Sequence, residues 1–354
     1  MQIMQEVIIG KNEAGQRFDK FLGKYFKAAN TSFIYKMLRK KNIELNSKKA
    51  TGNEKLNVGD SVKFFMADET IAKFRGCVIS GNASERVISK KTEETSSVNV
   101  PNKKNVELIT SRVIYEDEHI LLVDKPAGIL SQKATPTDVS INEMIIDYLI
   151  DKGDISVDEL QTFKPSVCNR LDRNTTGLIT FGKTLAGTQA LSQGFKDRTF
   201  DKYYLAIVWG HIVEPSLIDG YLIKDEKSNK VTISSKAIKD SSPIHTYYEP
   251  VRRGYVEING KDKAITLLKI KLITGKTHQI RAHLASIGHS LLGDDKYGVK
   301  VLNESLKKQY KIKFQMLHSY QLHIGEDQGN EALDNIKGKC ITAKPAVIYD
   351  NLFK

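Results

Sequence analysis

The run Asn169-Arg170-Leu171-Asp172-Arg173-Asn174-Thr175-Thr176-Gly177 places one carboxylate between two arginines in a bend rich in Thr and Gly. Asp172 could act there as a nucleophile or a base, beside cations suited to phosphate. An isolated Arg-Leu-Asp-Arg also fits a surface ion pair. The apolar stretch from Leu178 to Phe181 leads the bend into a core strand, and a loop anchored on a rigid element holds its carboxylate in a fixed place. Two further segments carry chemistry. Lys202 to Gly210 alternates as a strand, with Tyr203, Leu205, Ile207 and Trp209 on one face and Tyr204, Ala206 and Val208 on the other. The bulkier face is expected inward, which leaves Tyr204 facing a cleft. A core tyrosine with a satisfied hydroxyl is the plain alternative. In Thr274-Gly275-Lys276-Thr277-His278-Gln279-Ile280-Arg281, Thr277 is expected to cap a helix that buries Ile280, Leu284 and Ile287, and Gly288 suits its end. His278 and Arg281, three apart, share another face. Only His283 stands near His278 and no carboxylate motif accompanies it, so no metal site is expected.

The elements that must position these residues form two groups. Phe18, Phe21, Leu22, Tyr25 and Phe26 recur at helical spacing over residues 16–27. Asn30, Thr31 and Ser32 supply cap chemistry for a second helix, which turns Phe33, Ile34, Met37 and Leu38 inward and leaves Lys36, Arg39, Lys40 and Lys41 as a basic surface. Short strands follow, with Val58-Gly59-Asp60 as a turn. Residues 67–110 are polar and weakly periodic, and are expected to be a flexible linker. The larger domain, 111–350, opens with the buried strand Ile120 to Val123, the turn Asp124-Lys125-Pro126-Ala127-Gly128, and a helix announced by the capping box Ser140 and Glu143. Strands and helices mix without regular βαβ alternation, which argues for an α+β fold.

The three chemical segments together resemble the RluA-type pseudouridine synthases, a family that includes RluC and RluD. Arg170-Leu171-Asp172-Arg173-Asn174-Thr175-Thr176-Gly177-Leu178 fits that pattern almost throughout, with Asn169 where histidine is more usual. Lys202-x-Tyr204, the segment around His278 and Arg281, and Gly293-Asp294-Asp295-Lys296-Tyr297-Gly298 continue it, with Lys276 where arginine is commoner and Ser290 where proline is. His318 resembles a family position near the C-terminus and is taken as structural. Gly15-Gln16-Arg17-Phe18, the basic helix, Asn46 and Val58-Gly59-Asp60 resemble the RNA-binding module named after ribosomal protein S-four, over residues 15–66.

The resemblance implies a pseudouridine synthase fold with a mixed, largely antiparallel sheet, plus a small N-terminal α/β RNA-binding domain. It implies catalysis by Asp172, Tyr204 and Arg281. Asp172 promotes detachment of uracil from ribose, either by attacking the anomeric carbon or by taking a ribose proton, before reattachment through carbon. Tyr204 stacks on the base or assists proton transfer, and Arg281 pairs with Asp172. Arg170, Arg173, Lys202 and His278 are expected to bind substrate, and Arg17, Lys36, Arg39, Lys40 and Lys41 to bind RNA. The isomerisation needs no cofactor. Competing readings are a nucleosidase, which commonly uses two carboxylates where these segments supply one, and a non-catalytic RNA-binding protein.

The composition agrees with a polyanionic partner. The 354 residues hold 54 Lys and Arg against 42 Asp and Glu, a net charge of +12, and residues 1–66 contribute 13 basic against 6 acidic side chains. The resemblance makes ribosomal RNA the expected partner, with transfer RNA as the alternative. No membrane and no obligate protein partner is implied, and a monomer is expected. Cys77, Cys168 and Cys340 are too scattered for a disulfide framework or metal set, and the N-terminus lacks a leader pattern, so a cytoplasmic protein is expected.

Overall fold

The computed structural model describes residues 4–75, 101–157, 159–225, 230–326 and 329–353. These divide into two compact units: the described residues of Met1–Thr110, Met144–Ser166 and Gly182–Gln189, and those of Ser111–Glu143, Val167–Phe181 and Ala190–Lys354. Two helices numbered below, α5 and α6, have residues in both.

The N-terminal elements of the first unit are β1 (Met4–Ile8), α1 (Phe18–Tyr25), α2 (Thr31–Arg39), β2 (Ile43–Leu45), β3 (Lys48–Lys49), β4 (Ser61–Phe65), α3 (Asp68–Arg75) and α4 (Lys103–Thr110). α1 follows the sequence period, burying Phe18, Phe21, Leu22 and Tyr25. At α2, Asn30 Oδ1 accepts from the Phe33 N–H at 2.8 Å, which satisfies a donor that the first turn leaves unpaired. Asn46 and Ser47 both take positive φ, the requirement of a two-residue hairpin turn whose twist suits its strands. The sheet runs β1-β4-β2-β3, antiparallel at every pairing, so these elements are layered α+β and not a parallel α/β unit. Their aromatic core stacks Tyr25 on Phe64 at 5.0 Å between ring centres.

The expected linker, residues 67–110, is helical at both ends, in α3 and α4; residues 76–100 lie outside the described residues. The stretch looked featureless because each helix is only eight residues long and buries one apolar side chain, Ile71 and Ile109.

The chain continues with β5 (Val113–Glu116), β6 (Ile120–Lys125), α5 (Ile141–Lys152), β7 (Ser166–Val167), β8 (Thr176–Gly182), α6 (Leu185–Asp197), β9 (Phe200–Trp209), β10 (Ser216–Asp225), β11 (Lys230–Ser234), β12 (Ser242–Ile258), β13 (Lys261–Leu272), α7 (Gln279–Ser286), α8 (Lys300–Tyr310), β14 (Leu317–Ile324), β15 (Cys340–Thr342) and α9 (Ile348–Asn351). The 11-stranded sheet runs β11-β10-β12-β13-β9-β14-β8-β6-β5, with β15 beside β14 and β7 beside β8. It is mostly antiparallel, and β14 pairs with β8 in parallel. β9 lies in its middle and is covered on both faces. Leu205, Ile207 and Trp209 pack with Leu292 and Met316, while Tyr204, Ala206 and Val208 pack with Leu268, Ile270, Ile280 and Leu284. Each fully buried large side chain contributes about 1.5–3 kcal/mol relative to exposure. That double burial makes β9 the rigid bar on which the chemistry is mounted.

Among the described residues, no helix is long and apolar enough to cross a membrane.

Candidate active site

Asp172 sits on the loop between β7 and β8, and the loop is fastened from several sides. Asn169 Oδ1 accepts from the Thr180 N–H at 2.7 Å and its hydroxyl at 3.1 Å, and Asn169 Nδ2 donates to the Leu178 carbonyl at 3.3 Å. The amide standing where histidine is more usual therefore ties the loop's entry to the strand that leaves it. Ser131 bonds Leu171 twice, accepting from its N–H at 2.9 Å and donating to its carbonyl at 2.8 Å. Thr175 N–H closes a turn on the Asp172 carbonyl at 3.0 Å.

Lys125, at the end of β6, is fully buried. It donates to the carbonyls of Pro126, Ile129 and Arg173 at 2.9, 2.8 and 2.9 Å. Burial pushes its amine down to about 7, partly opposed by the charges of Asp172 and Asp124. A lysine drawn in this far to gather three carbonyls, one within the Asp172 loop, is a brace. From its sequence neighbours alone Lys125 reads as a turn residue without a role. The available signal was the cation itself, which with Asp124 closes an apolar run just before Pro126.

Arg281 reaches Asp172 from α7, 109 residues further along the chain, with Nη1 to Oδ2 at 2.9 Å. Its Nε and Nη2 grip Asp294 at 2.7 and 2.9 Å, so one guanidinium spans two carboxylates. Burial opposes the charge on Arg281, but the bonds to Asp294 and Asp172 outweigh it and hold the guanidinium above its ordinary pKa. Burial likewise opposes ionisation of Asp294, and the Arg281 fork with the Tyr297 and Lys296 N–H groups overcomes it, keeping the carboxyl below the usual carboxylate range. Asp294 has no exposed surface, whereas the Asp172 side chain is 23% exposed, so only the latter can be approached.

The bidentate geometry fixes the plane of Arg281, which in turn aims Nη1 at Asp172. In the sequence Asp294 belongs to a motif that by itself assigns it no role. Its function as the anchor of Arg281 depends on a turn that folds back over α7.

His278 stands at the N-cap of α7 with φ 53°, and its Nε2 lies 3.8 Å from Asp172 Oδ2. The helix therefore begins one residue later than a Thr277 cap would set it. Of the three residues expected on its buried side, Ile280 and Leu284 are buried and Ile287 is exposed beyond the last turn. Burial pushes the His278 pKa down, with Asp172 pulling the other way. The Tyr297 hydroxyl lies 3.0 Å from His278 Nδ1 and accepts from the Val231 N–H at 3.0 Å. It can then give its own hydrogen to Nδ1, the tautomer that turns an N–H toward Asp172.

Tyr204 is 6% exposed, packed beside Leu171 and Ile280. The expectation that it would be freely open to a cleft is corrected: both faces of β9 are covered, so strand alternation could not assign an outer side. Burial pushes its phenol up to about 12, with the Asp172 charge adding to the rise and a bond to Ser319 opposing it. Its hydroxyl thus stays protonated at neutral pH.

Asp172, Arg281, His278 and Tyr204 are therefore brought together in one unit. The other expected substrate contacts lie further out. Arg170 and Arg173 are exposed, the latter 3.9 Å from Asp138, and Lys202 is half-buried in a separate cleft. In the first unit, Lys36, Arg39, Lys40 and Lys41 are exposed as expected, and Arg17 is exposed and pairs with Asp19 at 2.9 Å. Among the described residues, no group of three or more His, Cys, Asp or Glu is placed to hold a metal ion.

The site is thus an accessible aspartate held against a buried arginine on a central mixed sheet. Solved structures of human RNA pseudouridylate synthase domain containing 1 and domain containing 4 share this fold. They cover 68% and 71% of this chain, and 85% and 95% of their own, with TM-scores of 0.50 and 0.52 at 21% and 19% identity.

Residues 119–286 match the family model of RNA pseudouridylate synthases, and that match and the curated relatives support the RluA-type family. The chain is thus an enzyme that isomerises uridine in RNA. A similar chain is an uncharacterised RNA pseudouridine synthase of Mycoplasma genitalium, 28% identical over 91% of this chain and 90% of the relative. Another is ribosomal large subunit pseudouridine synthase C of Buchnera aphidicola, 28% identical over 92% of this chain and 91% of the relative. A third is ribosomal large subunit pseudouridine synthase D of Nitrosomonas europaea, 26% identical over 93% and 82%.

Proposed function

We propose that this synthase modifies uridines of large-subunit ribosomal RNA and that Asp172 carries the reaction. The observation that supports this reading is the accessible Asp172 carboxylate held at 2.9 Å by Arg281, whose other side is locked to buried Asp294. The substrate is suggested by relatives named for that RNA, which match this chain over nearly its whole length.

The target uridine leaves its stack, at a cost of a few kcal/mol, to reach the carboxylate. Asp172 then attacks the anomeric carbon or takes a ribose proton as the bond to uracil breaks; the freed uracil turns and bonds through carbon five, displacing Asp172 or regaining the ribose proton, and carbon five gives up its hydrogen to solvent. Arg281 orients the carboxylate. The protonated Tyr204 hydroxyl and the His278 imidazole are the groups beside it that can move or hold a proton. Arg170 and Arg173, exposed beside Asp172, favour RNA phosphates. The basic face of α2, with Arg17, serves as an S-four-like RNA-binding surface in a protein working in the cytoplasm.

A nucleosidase commonly uses a second working carboxylate. The acid nearest to Asp172 through Arg281 is Asp294, which is fully buried and bonded through both oxygens. Ribosomal RNA transcript labelled with tritium at uridine carbon five tests the proposal. Release of tritium without free uracil is the expected result, and free uracil would favour the nucleosidase. Asp172→Asn should abolish release while leaving RNA binding largely intact; turnover by the pure variant would remove Asp172 from its assigned role.

A further inference from the structure

A second basic site lies on the same unit, outside the Asp172 cluster. Arg198, Lys202 and Lys276 line a cleft of about 330 Å³ together with Phe195, Pro243 and Gly275, and no carboxylate lines it. Three segments supply the cations: the turn after α6, β9, and the loop ahead of α7. The Lys202 amine stands close over the loop, 3.8 Å from where a Cβ on Gly275 would sit, and 6.0 Å from the Phe195 ring centre.

The neighbouring acid, Asp201, is committed to Lys271 Nζ at 2.7 Å. Among the described residues, no ion pair joins Arg198, Lys202 or Lys276 to an acid. Burial, and then the charge of Arg198, press the Lys202 amine toward its neutral form, only partly countered by Asp201. Like charges gathered on a half-buried amine without a counter-ion are costly in the free protein. An anion in the cleft would relieve that cost.

The position of the cleft identifies the anion. Lys202 precedes Tyr204 by two residues, about 7 Å along the strand. Lys276 precedes His278 by two, and His278 Nε2 is 3.8 Å from Asp172. The cleft therefore adjoins the reactive cluster along two separate elements.

We propose that Arg198, Lys202 and Lys276 together grip a single phosphodiester of the RNA strand that carries the target uridine. The inference rests on the chain's RNA-modifying activity and assigns that activity a backbone contact. The grip holds the strand while the base is turned out, and it is indifferent to base identity because phosphate carries no sequence information.

The test uses the full chain and a transcript of large-subunit ribosomal RNA. Phosphates are sparsely ethylated, bound and free RNA are separated, and the excluded positions are read. In wild type, ethylation at one phosphate next to the modified uridine should prevent binding. In Arg198→Gln/Lys202→Met/Lys276→Gln that one exclusion should vanish and the others remain, with binding weakened several-fold. The slope of log affinity against log salt should fall by about one unit for all three substitutions together, because they neutralise one phosphate.

An unchanged interference pattern would overturn the proposal. So would a fall in slope of about three, which would mean three separate phosphates. Should the triple variant fold poorly, Arg198→Gln/Lys276→Gln alters only exposed positions and should weaken the same exclusion, while Lys202→Arg should keep it. These readouts do not depend on turnover. A wild-type protein that protects the phosphate yet releases no tritium would defeat the synthase reading and leave the clamp standing.

Discussion

Arg281 holds two acids with one planar group, and the consequences for each acid differ. Asp294 is the buried partner; leaving a buried charge wholly uncompensated typically costs about 3–5 kcal/mol, and Asp172 still faces the guanidinium when Asp294 is lost. Asp294→Asn is therefore expected to lose up to that much stability at neutral pH, read as a lower urea midpoint. Its carboxyl is held below its ordinary value of 3.8 in the folded state, so its contribution is complete above that pH and is lost as pH falls through the depressed folded value. The gap between wild type and variant should therefore close in acid below about pH 4; a gap constant down to pH 2 would mean that the Asn acts through packing alone. Tyr204 presents the converse case. Its phenol, pushed up to about 12, is a proton donor at neutral pH. Tyr204→Phe keeps the ring and removes the hydroxyl, so stability should change by no more than about 1.5 kcal/mol, while single-turnover formation of pseudouridine should slow on the order of 10²-fold. Equal rates would reduce Tyr204 to a packing residue.

At the scale of elements, the loop carrying Asp172 is set by the junction of β8 and β14. Gly177 has φ +103°, and a side chain there would drive a methyl into the Ser319 carbonyl. Both the backbone conformation and the close approach exclude any other residue. Gly177→Ala should cost roughly 3 kcal/mol or more, measured as a fall in the unfolding midpoint, and should lower activity further because the parallel pairing of His318 with Thr176 sits beside it. His318 is buried there, with Nδ1 2.8 Å from the Thr176 hydroxyl and Nε2 2.9 Å from the Ala343 carbonyl, which fits the structural part it was given. A fully stable, active Gly177→Ala protein would show that the strands can separate without moving Asp172. The brace at Lys125 belongs to the same scale. It joins the end of β6 to the Arg173 carbonyl, so the loop is tied to two strands before Arg281 reaches it.

At the scale of the whole molecule, charge is the property that acts, since a net +12 raises the local concentration of a polyanion before any specific contact forms. Replacing exposed Lys36, Arg39, Lys40 and Lys41 together by Gln should weaken binding to a large-subunit ribosomal RNA transcript and flatten its salt dependence by about one unit for each phosphate no longer neutralised; an unchanged slope would remove that surface from RNA recognition. The chain's own order of residues determined the helical periods of α1 and α2, the cap at Asn30, the buried strand before Lys125, and the segments that hold Asp172, Tyr204 and Arg281. Those features depend on neighbours a few positions apart, where spacing and side-chain type suffice. Tertiary structure alone decided that β9 is covered on both faces, that His278 and not Thr277 opens α7, and that Asp294 anchors Arg281. It also brought Arg198, Lys202 and Lys276 around one cleft. Each of these rests on groups far apart along the chain, and a linear pattern carries no term for which distant surface will close over a strand or complete a charge.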